Sequence, residues 1–447
     1  MKSISVRVDA AKLLHTMAYG FGYNLHVIGD IRDEPFDVNI LGSAFGGVPD
    51  GSDAESWDRI VAHADWLGFE FIRLIIDQRM YEPEAKGHYT WQSDAMKRLY
   101  RVLDWCQSRD VDVFLFEQWH GVAWNTVAGF DKWTSSPADI EAYAASFTTL
   151  VEKLVKERKY TCIRAAGFNN ENFHDAGGND RPAKELVRAE LDRKGIPLPL
   201  AGPDDYRRPN YAPDPLFGVY ENHAYSVQSG NVDYVDWIEG ARAEGKHFFL
   251  GEFGGKIGNE ISHDFKFGLN EIGYVIAMIN AGCDGFAHWS FFNRGDLDGA
   301  WQVIDTWDPV TKRLLQPEKI KPHPFTYWLQ GMLQRFTVKH SDVLTLQGGD
   351  AGVQCAALRS PAGNYTLLAA NTTGEEVDLR CELQGCASGV QFHRYSITAE
   401  ELSRPDFKLR STASFLSPSF HDVVPACSFT VFSSYSLDSE APGMRID

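Results

Sequence analysis

Eight residues of this 447-residue chain stand where apolar runs give way to polar sequence: Arg73, His120, Asn170, Glu171, His223, Tyr225, Glu252 and Trp289. Glu171 ends the run CIRAAGFNNE (162–171), and Glu252 lies within HFFLGEFGG (247–255). A carboxylate at the end of a buried segment is costly unless it is paired or hydrogen-bonded. Two of them, in company with an Arg, two His and a Tyr, therefore point to a functional cluster. Two facing carboxyl groups are what cleavage of a glycosidic bond requires, one as proton donor and the other as nucleophile or base.

The elements that must hold these residues follow from the pattern of the chain. Apolar runs recur at 18–27, 71–77, 111–119, 162–171, 197–204, 217–226, 247–255 and 285–293, separated by segments with helical periodicity. Ser52 and Glu55 fit a capping box ahead of Trp57, Ile60, Val61, Ala64 and Leu67. Ser136-Pro137 fits the start of the longest helix, with Ile140, Tyr143, Phe147, Leu150 and Leu154 along one face. A further helix is expected around Phe265, Leu269, Ile272, Ile276 and Ile279. Apolar runs alternating with helices imply parallel strands with crossovers, and eight units over residues 18–331 fit a closed (β/α)₈ barrel. The fifth unit is the weakest, because 205–216 holds three prolines and little helical period. Active sites of such barrels form at the C-terminal strand ends, where Glu171 on strand four and Glu252 on strand seven would face one another.

Beyond residue 332 the period changes to two, as in Val377, Leu379, Cys381 and Leu383, with turn signals such as Ser360-Pro-Ala-Gly363. Residues 332–447 are expected to form an antiparallel β-sandwich, joined by residues 1–17 through the alternating Ile4, Val6 and Val8.

With these elements in place, the sequence resembles the clan A retaining glycoside hydrolases, and most closely the family five type of barrel with an appended sandwich. The residues that carry the likeness are Arg73 for strand two, His120 for strand three and Asn170-Glu171 for strand four. His223-Ala-Tyr225 stands for strand six, Glu252 in LGEFGG for strand seven and Trp289 for strand eight. Where that group often has Pro after Asn-Glu, this chain has Asn172. The resemblance implies a retaining hydrolase of β-glycosides, with Glu171 as acid/base and Glu252 as nucleophile. Arg73 and Tyr225 would hold Glu252 ionised, and Asn170 would bond the sugar 2-hydroxyl. Trp289 would form an apolar floor under the sugar ring, with His120 and His223 lining the site. No cofactor or metal is implied.

Composition narrows the partners. The net charge of −18 disfavours polyanions, so nucleic acid and acidic membranes are not expected partners. No stretch approaches the roughly 20 apolar residues of a membrane-spanning helix, and no apolar segment follows the first residues, so a cytoplasmic location is expected. Seven scattered cysteines read as reduced thiols. The site, with the nearby Asp204, would also suit a metal-dependent barrel hydrolase or isomerase using Glu171, His223 and Glu252 as ligands. A third reading is a non-catalytic carbohydrate-binding barrel. Three motif fragments are set aside. Gly251-Glu-Phe-Gly-Gly-Lys256 lacks the length and the Ser/Thr of a phosphate loop, Asp296-Leu-Asp298 lacks further calcium ligands, and Gly20-Phe-Gly22 is too short for a dinucleotide site. Among the tryptophans after strand three, Trp119, Trp124 and Trp133 could wall a sugar site. Short glycosides cleaved in an exo fashion are the expected substrates.

Overall fold

A computed structural model describes residues 2–28, 47–49, 51–117, 121–130, 132, 135–171, 178–204, 210–225, 234–254, 264–292, 302–308, 313–350, 352–405 and 407–437. Strand β1 (Lys2–Thr16) precedes eight parallel strands: β2 (Gly20–His26), β3 (Phe71–Ile76), β4 (Asp112–Glu117), β5 (Ile163–Phe168), β6 (Ala201–Pro203), β7 (Val219–Ala224), β8 (His247–Phe253) and β9 (Gly285–His288). Their hydrogen-bonded order is β5-β4-β3-β2-β9-β8-β7-β6. The ring closes between β5 and β6 through one bridge, Ala166 with Leu200, where the Ala166 N–H donates to the Pro199 carbonyl at 3.0 Å. Each strand lies within one of the eight apolar runs, because a parallel strand covered on both faces must be apolar nearly throughout.

Among the described residues seven helices clothe the barrel: α1 (Ala54–Leu67), α2 (Asp94–Ser108), α3 (Ile140–Glu152), α4 (Asp180–Arg193), α5 (Val235–Ala243), α6 (Phe265–Ala281) and α7 (Thr326–Phe336). Among the described residues no helix joins β6 to β7, in keeping with the prolines there. Two helix starts differ from the sequence reading. The α1 cap is Asp53, whose carboxylate accepts from the Ser56 N–H at 3.0 Å, and not Ser52. Helix α3 begins at Ile140 under Asp139, while Pro137 forms a β-bridge with Thr126. Asp139 wins over Ser136 because its side chain meets the free Ala142 N–H at 2.8 Å. Leu154, expected on that helix, falls in a following π-helical turn (Lys153–Glu157), and the longest helix among the described residues is α6 with 17 residues.

The second sheet has nine strands and includes β1. Strand β1 runs antiparallel to Asp342–Gly348 and parallel to Val377–Gln384, burying Ile4, Val6 and Val8. The parallel pair is the exception in an otherwise antiparallel sheet, since no hairpin joins β1 to Val377–Gln384. Residue 331, where the sequence changes its period, lies inside α7, and the sandwich strands resume at Asp342. The two sheets are stitched closely. The Met17 N–H donates to the Ser341 carbonyl at 3.0 Å, and the Asn280 amide of α6 donates to the Cys355 carbonyl at 2.8 Å.

Candidate active site

The site begins with a β-bulge. In the pairing of β7 with β8, Asn222 faces Leu250 and His223 faces Glu252, so Gly251 is an extra residue. The bulge breaks the strict alternation of strand side chains and turns Glu252 toward the barrel interior, beside the position of Gly251. From β3, Arg73 reaches the same space. It is not at its strand end, as the sequence reading placed it, but in mid-strand, fully buried, with its guanidinium 4.0 Å over the Phe116 ring.

Past the end of β5 the backbone is bent. Asn169 and Glu171 both hold positive φ, 62° and 59°. A left-handed Glu costs about 1–3 kcal/mol and persists only when its surroundings hold it. Here the Glu171 backbone lies next to the buried carboxylate of Asp204, just past β6, and helps to hold its charge. The strain is thus supported by the same carboxylate that organises the neighbouring side chains.

Arg73 is the hub. Its Nη1 donates to Glu252 Oε1 at 2.6 Å and to Asn24 Oδ1 at 3.2 Å, and its Nη2 donates to Asn170 Oδ1 at 2.7 Å and Asp204 Oδ2 at 3.0 Å. Asn24 ties this hub to the bulge by donating to the Gly251 carbonyl at 2.9 Å. The Tyr225 hydroxyl donates to Glu252 Oε2. His223 lies between the acids: Nδ1 is 3.1 Å from Glu171 Oε1 and 3.4 Å from Glu252 Oε2, while Nε2 is 2.9 Å from Asp204 Oδ1. One carboxylate oxygen of Glu171 and one of Glu252 come within 4.8 Å of each other. Glu252 is buried, whereas the Glu171 side chain keeps 18% of its surface open.

The electrostatics follow from this packing. Burial pushes the Glu252 carboxyl up, and His223 and Arg73 pull it back without cancelling the rise. Burial would also raise Asp204, but His223 and Arg73 bring it down to about 2. Burial disfavours the His223 cation, yet Asp204 and Glu252 hold it well above the usual imidazole range. The cluster is a set of fixed charges shielded from water, where such interactions are strong.

The structure brings Arg73, Asn170, Glu171, His223, Tyr225 and Glu252 into one cluster. Trp289 follows β9 beside it, nearly buried, with its ring edge-on to His26 at 5.4 Å. His120, Trp119, Trp133, Lys256, Asp296 and Asp298 lie outside the described residues. Trp124 donates its indole N–H to the Glu82 carbonyl at 3.1 Å. Three members were missed or misread in the sequence. Asn24 and Glu221 were not singled out, and Asp204 was considered only as a metal ligand. The available signal was a polar or charged residue inside an apolar run, as in YNLH and VYENHA.

No protein-family model matches the chain, and no curated protein matches it. Solved structures do. A GH30 endoxylanase from Clostridium papyrosolvens aligns at 13% identity over 96% of this chain and 99% of its own, with a TM-score of 0.66. A GH30 subfamily 8 xylanase from Clostridium acetobutylicum gives 15%, 96%, 99% and 0.66 on the same measures. An endo-beta1,6-glucanase gives 14%, 96%, 93% and 0.63. At such identities the likeness establishes the architecture. The chain has the (β/α)₈ barrel and appended sandwich expected from its resemblance to clan A.

Proposed function

We propose that this protein is a retaining glycoside hydrolase acting on β-glycosides, with Glu252 as nucleophile and Glu171 as acid/base. The observation that carries the reading is the approach of these two carboxylates within 4.8 Å across the barrel mouth. Retaining enzymes hold their carboxyl groups about 5–5.5 Å apart, whereas inverting enzymes need roughly 6.5–9.5 Å to admit a water. Glu252 attacks the anomeric carbon while protonated Glu171 gives its proton to the leaving oxygen, so the glycosidic bond breaks as the glycosyl-enzyme bond forms. Glu171, now a carboxylate, then takes a proton from water, whose oxygen attacks the same carbon and frees Glu252. Arg73 and Tyr225 fix the two oxygens of the nucleophile by charge-assisted hydrogen bonds. Asn170, held by Arg73 through its carbonyl oxygen, has its amide NH₂ group for the sugar 2-hydroxyl. Trp289 supplies an apolar surface beside His26.

The finer reading is exo action on short glycosides. The fold neighbours named as an endoxylanase and an endo-glucanase make xylan and β-1,6-glucan the controls. Nitrophenyl glycosides turned over faster than either polymer support the exo reading.

A metal-dependent reading has some geometric basis. Glu171, His223 and Glu252, and separately Asp204, Glu221 and His223, converge within 4.8 Å. The Arg73 guanidinium lies 2.6–3.6 Å from Asp204, Glu221 and Glu252, which sets a fixed cation where a divalent ion would have to bind. The test of roles is chemical. Glu171→Ala should slow aryl glycosides, and azide should restore turnover by forming a glycosyl azide of retained configuration. Glu252→Ala should lose on the order of 10⁴–10⁶-fold on every substrate, and any azide product should carry the opposite configuration. Equal losses that azide does not rescue would defeat the assignment.

A further inference from the structure

Glu221 is a fourth carboxyl in this cluster, and the reaction as described makes no use of it. It sits two residues before His223 on β7, so its side chain enters the barrel one layer deeper on the same face. It is fully buried, with Oε1 3.6 Å from Arg73 Nη2. Among the described residues neither of its oxygens has a hydrogen-bond partner, and the Arg73 Nε–H beside it has none either. The space for it is kept by the bulge glycine: a Cβ on Gly251 would stand 1.6 Å from Glu221 Oε2. The chain therefore forgoes a side chain next to its nucleophile in order to house a buried carboxyl.

The donors around the four acids decide which of them carries charge. Asp204 Oδ2 accepts from Arg73, and its Oδ1 lies 2.9 Å from His223 Nε2. Glu252 accepts from Arg73 and Tyr225, with His223 3.4 Å away. Glu221 accepts from none, and hydrogen bonding to the ionised form is what favours it. A dry cluster of Arg73 and His223 as cations and Asp204 and Glu252 as anions is already neutral. The acid/base Glu171 must be protonated before it acts, so an ionised Glu221 would leave one negative charge uncompensated.

We propose that Glu221 is a positioning residue that works as a neutral carboxylic acid behind Arg73, and that loss of its proton draws the guanidinium away from Glu252 and lowers activity at high pH. The groups facing it are Arg73 from β3, Asp204 after β6, His223 on its own strand and Glu252 from β8; Tyr225 and Glu171 complete the ring around the nucleophile. Burial pushes the Glu221 carboxyl up to about 8, with Arg73 opposing the rise and Asp204 adding to it, in keeping with the donor count.

The kinetic part of this inference rests on the glycosidase reading, so the test has one arm that needs turnover and one that does not. Glu221→Gln is locked in the neutral state. It should keep kcat/KM near its optimum within about threefold and move the alkaline limb of the kcat/KM profile upward by on the order of one pH unit. Glu221→Met, a second uncharged variant, should move the limb the same way if the amide impairs folding. An unchanged limb in a folded, active variant overturns the proposal. In the second arm, ¹³C-carboxyl NMR of glutamate-labelled enzyme, assigned by the signal missing in the variant, follows the proton on Glu221 directly. A midpoint well above the ordinary carboxylate range supports the proposal, and one within that range overturns it, even if no glycoside is turned over and the hydrolase reading fails.

Discussion

At the floor of the barrel Tyr19, Phe71, Phe114 and Phe249 pack ring on ring, with Tyr19–Phe114, Phe71–Phe114 and Phe114–Phe249 centroids 5.0, 5.4 and 4.7 Å apart. Two or three residues further along β3 and β8, Arg73 and Glu252 stand in a layer of charge. The floor contributes stability by burial of aromatic surface and needs no orientation finer than good packing. The mouth does the reverse. It holds three residues in left-handed backbone (Asn169, Glu171 and Asp204), four buried or half-buried carboxyls and a bulge, all of which cost stability. Strand ends at the two faces of such barrels divide the work in this way: one face for stability and the other for chemistry.

The contrast can be broken at either end. The largest effect short of the catalytic pair is expected at Asp204, which holds His223, Arg73 and the strained Glu171 backbone together. Asp204→Ala should lower kcat by on the order of 10²-fold through misplacement of Glu171 and His223, measured on an aryl glycoside with folding verified by circular dichroism. Activity within a few-fold of wild type would remove Asp204 from the account. At the floor, Phe114→Ala should cost about 3–5 kcal/mol of stability and leave kcat and KM unchanged below its lowered Tm. A change in kinetics there would show that the two layers are not independent.

A smaller effect concerns buried acids throughout the barrel. Glu70, Glu117, Glu221 and Glu271 are each raised by burial to about 8. Folded protein therefore holds protons that the unfolded chain has released, so the stability these groups contribute is full below the unfolded carboxyl range and is lost as pH rises toward 8. Asp204, lowered to about 2, works in the other direction: its contribution is full above 3.8 and is lost as pH falls from there through about 2. Thermal unfolding should then show the highest Tm near about pH 5 and a decline of several degrees by pH 8.5. Glu117, which accepts hydrogen bonds from the Tyr81 and Tyr143 hydroxyls at 2.7 Å, is the group to replace by Gln. The slope should flatten in that variant, and a Tm that rises with pH in the wild type would contradict the sign.

The strands were legible because a doubly covered parallel strand leaves little choice but an apolar run, and each of β2–β9 lies in one. The β1 contribution to the sandwich was legible from Ile4, Val6 and Val8 for the matching reason, a period of two. Helix starts were less so, because Ser52 and Asp53, or Ser136 and Asp139, are all competent caps and only the geometry of the first turn selects one. Of the eight residues singled out in the sequence, six (Arg73, Asn170, Glu171, His223, Tyr225 and Glu252) come together in one cluster. What stayed hidden was depth within the strand. Arg73 reads as a strand end but is mid-strand, and Glu221 and Asn24 face inward only because of where the pleat falls. The bulge at Gly251, which sets both Glu252 and the slot for Glu221, leaves no mark in the sequence beyond a glycine.

The central claim is that Glu171 and Glu252 are spaced for double displacement. It is tested most directly by following the first-formed product of an aryl β-glycoside by proton NMR before mutarotation. The spacing within 4.8 Å predicts that the β-anomer appears first. Initial release of the α-anomer would contradict the mechanism and the roles given to both glutamates.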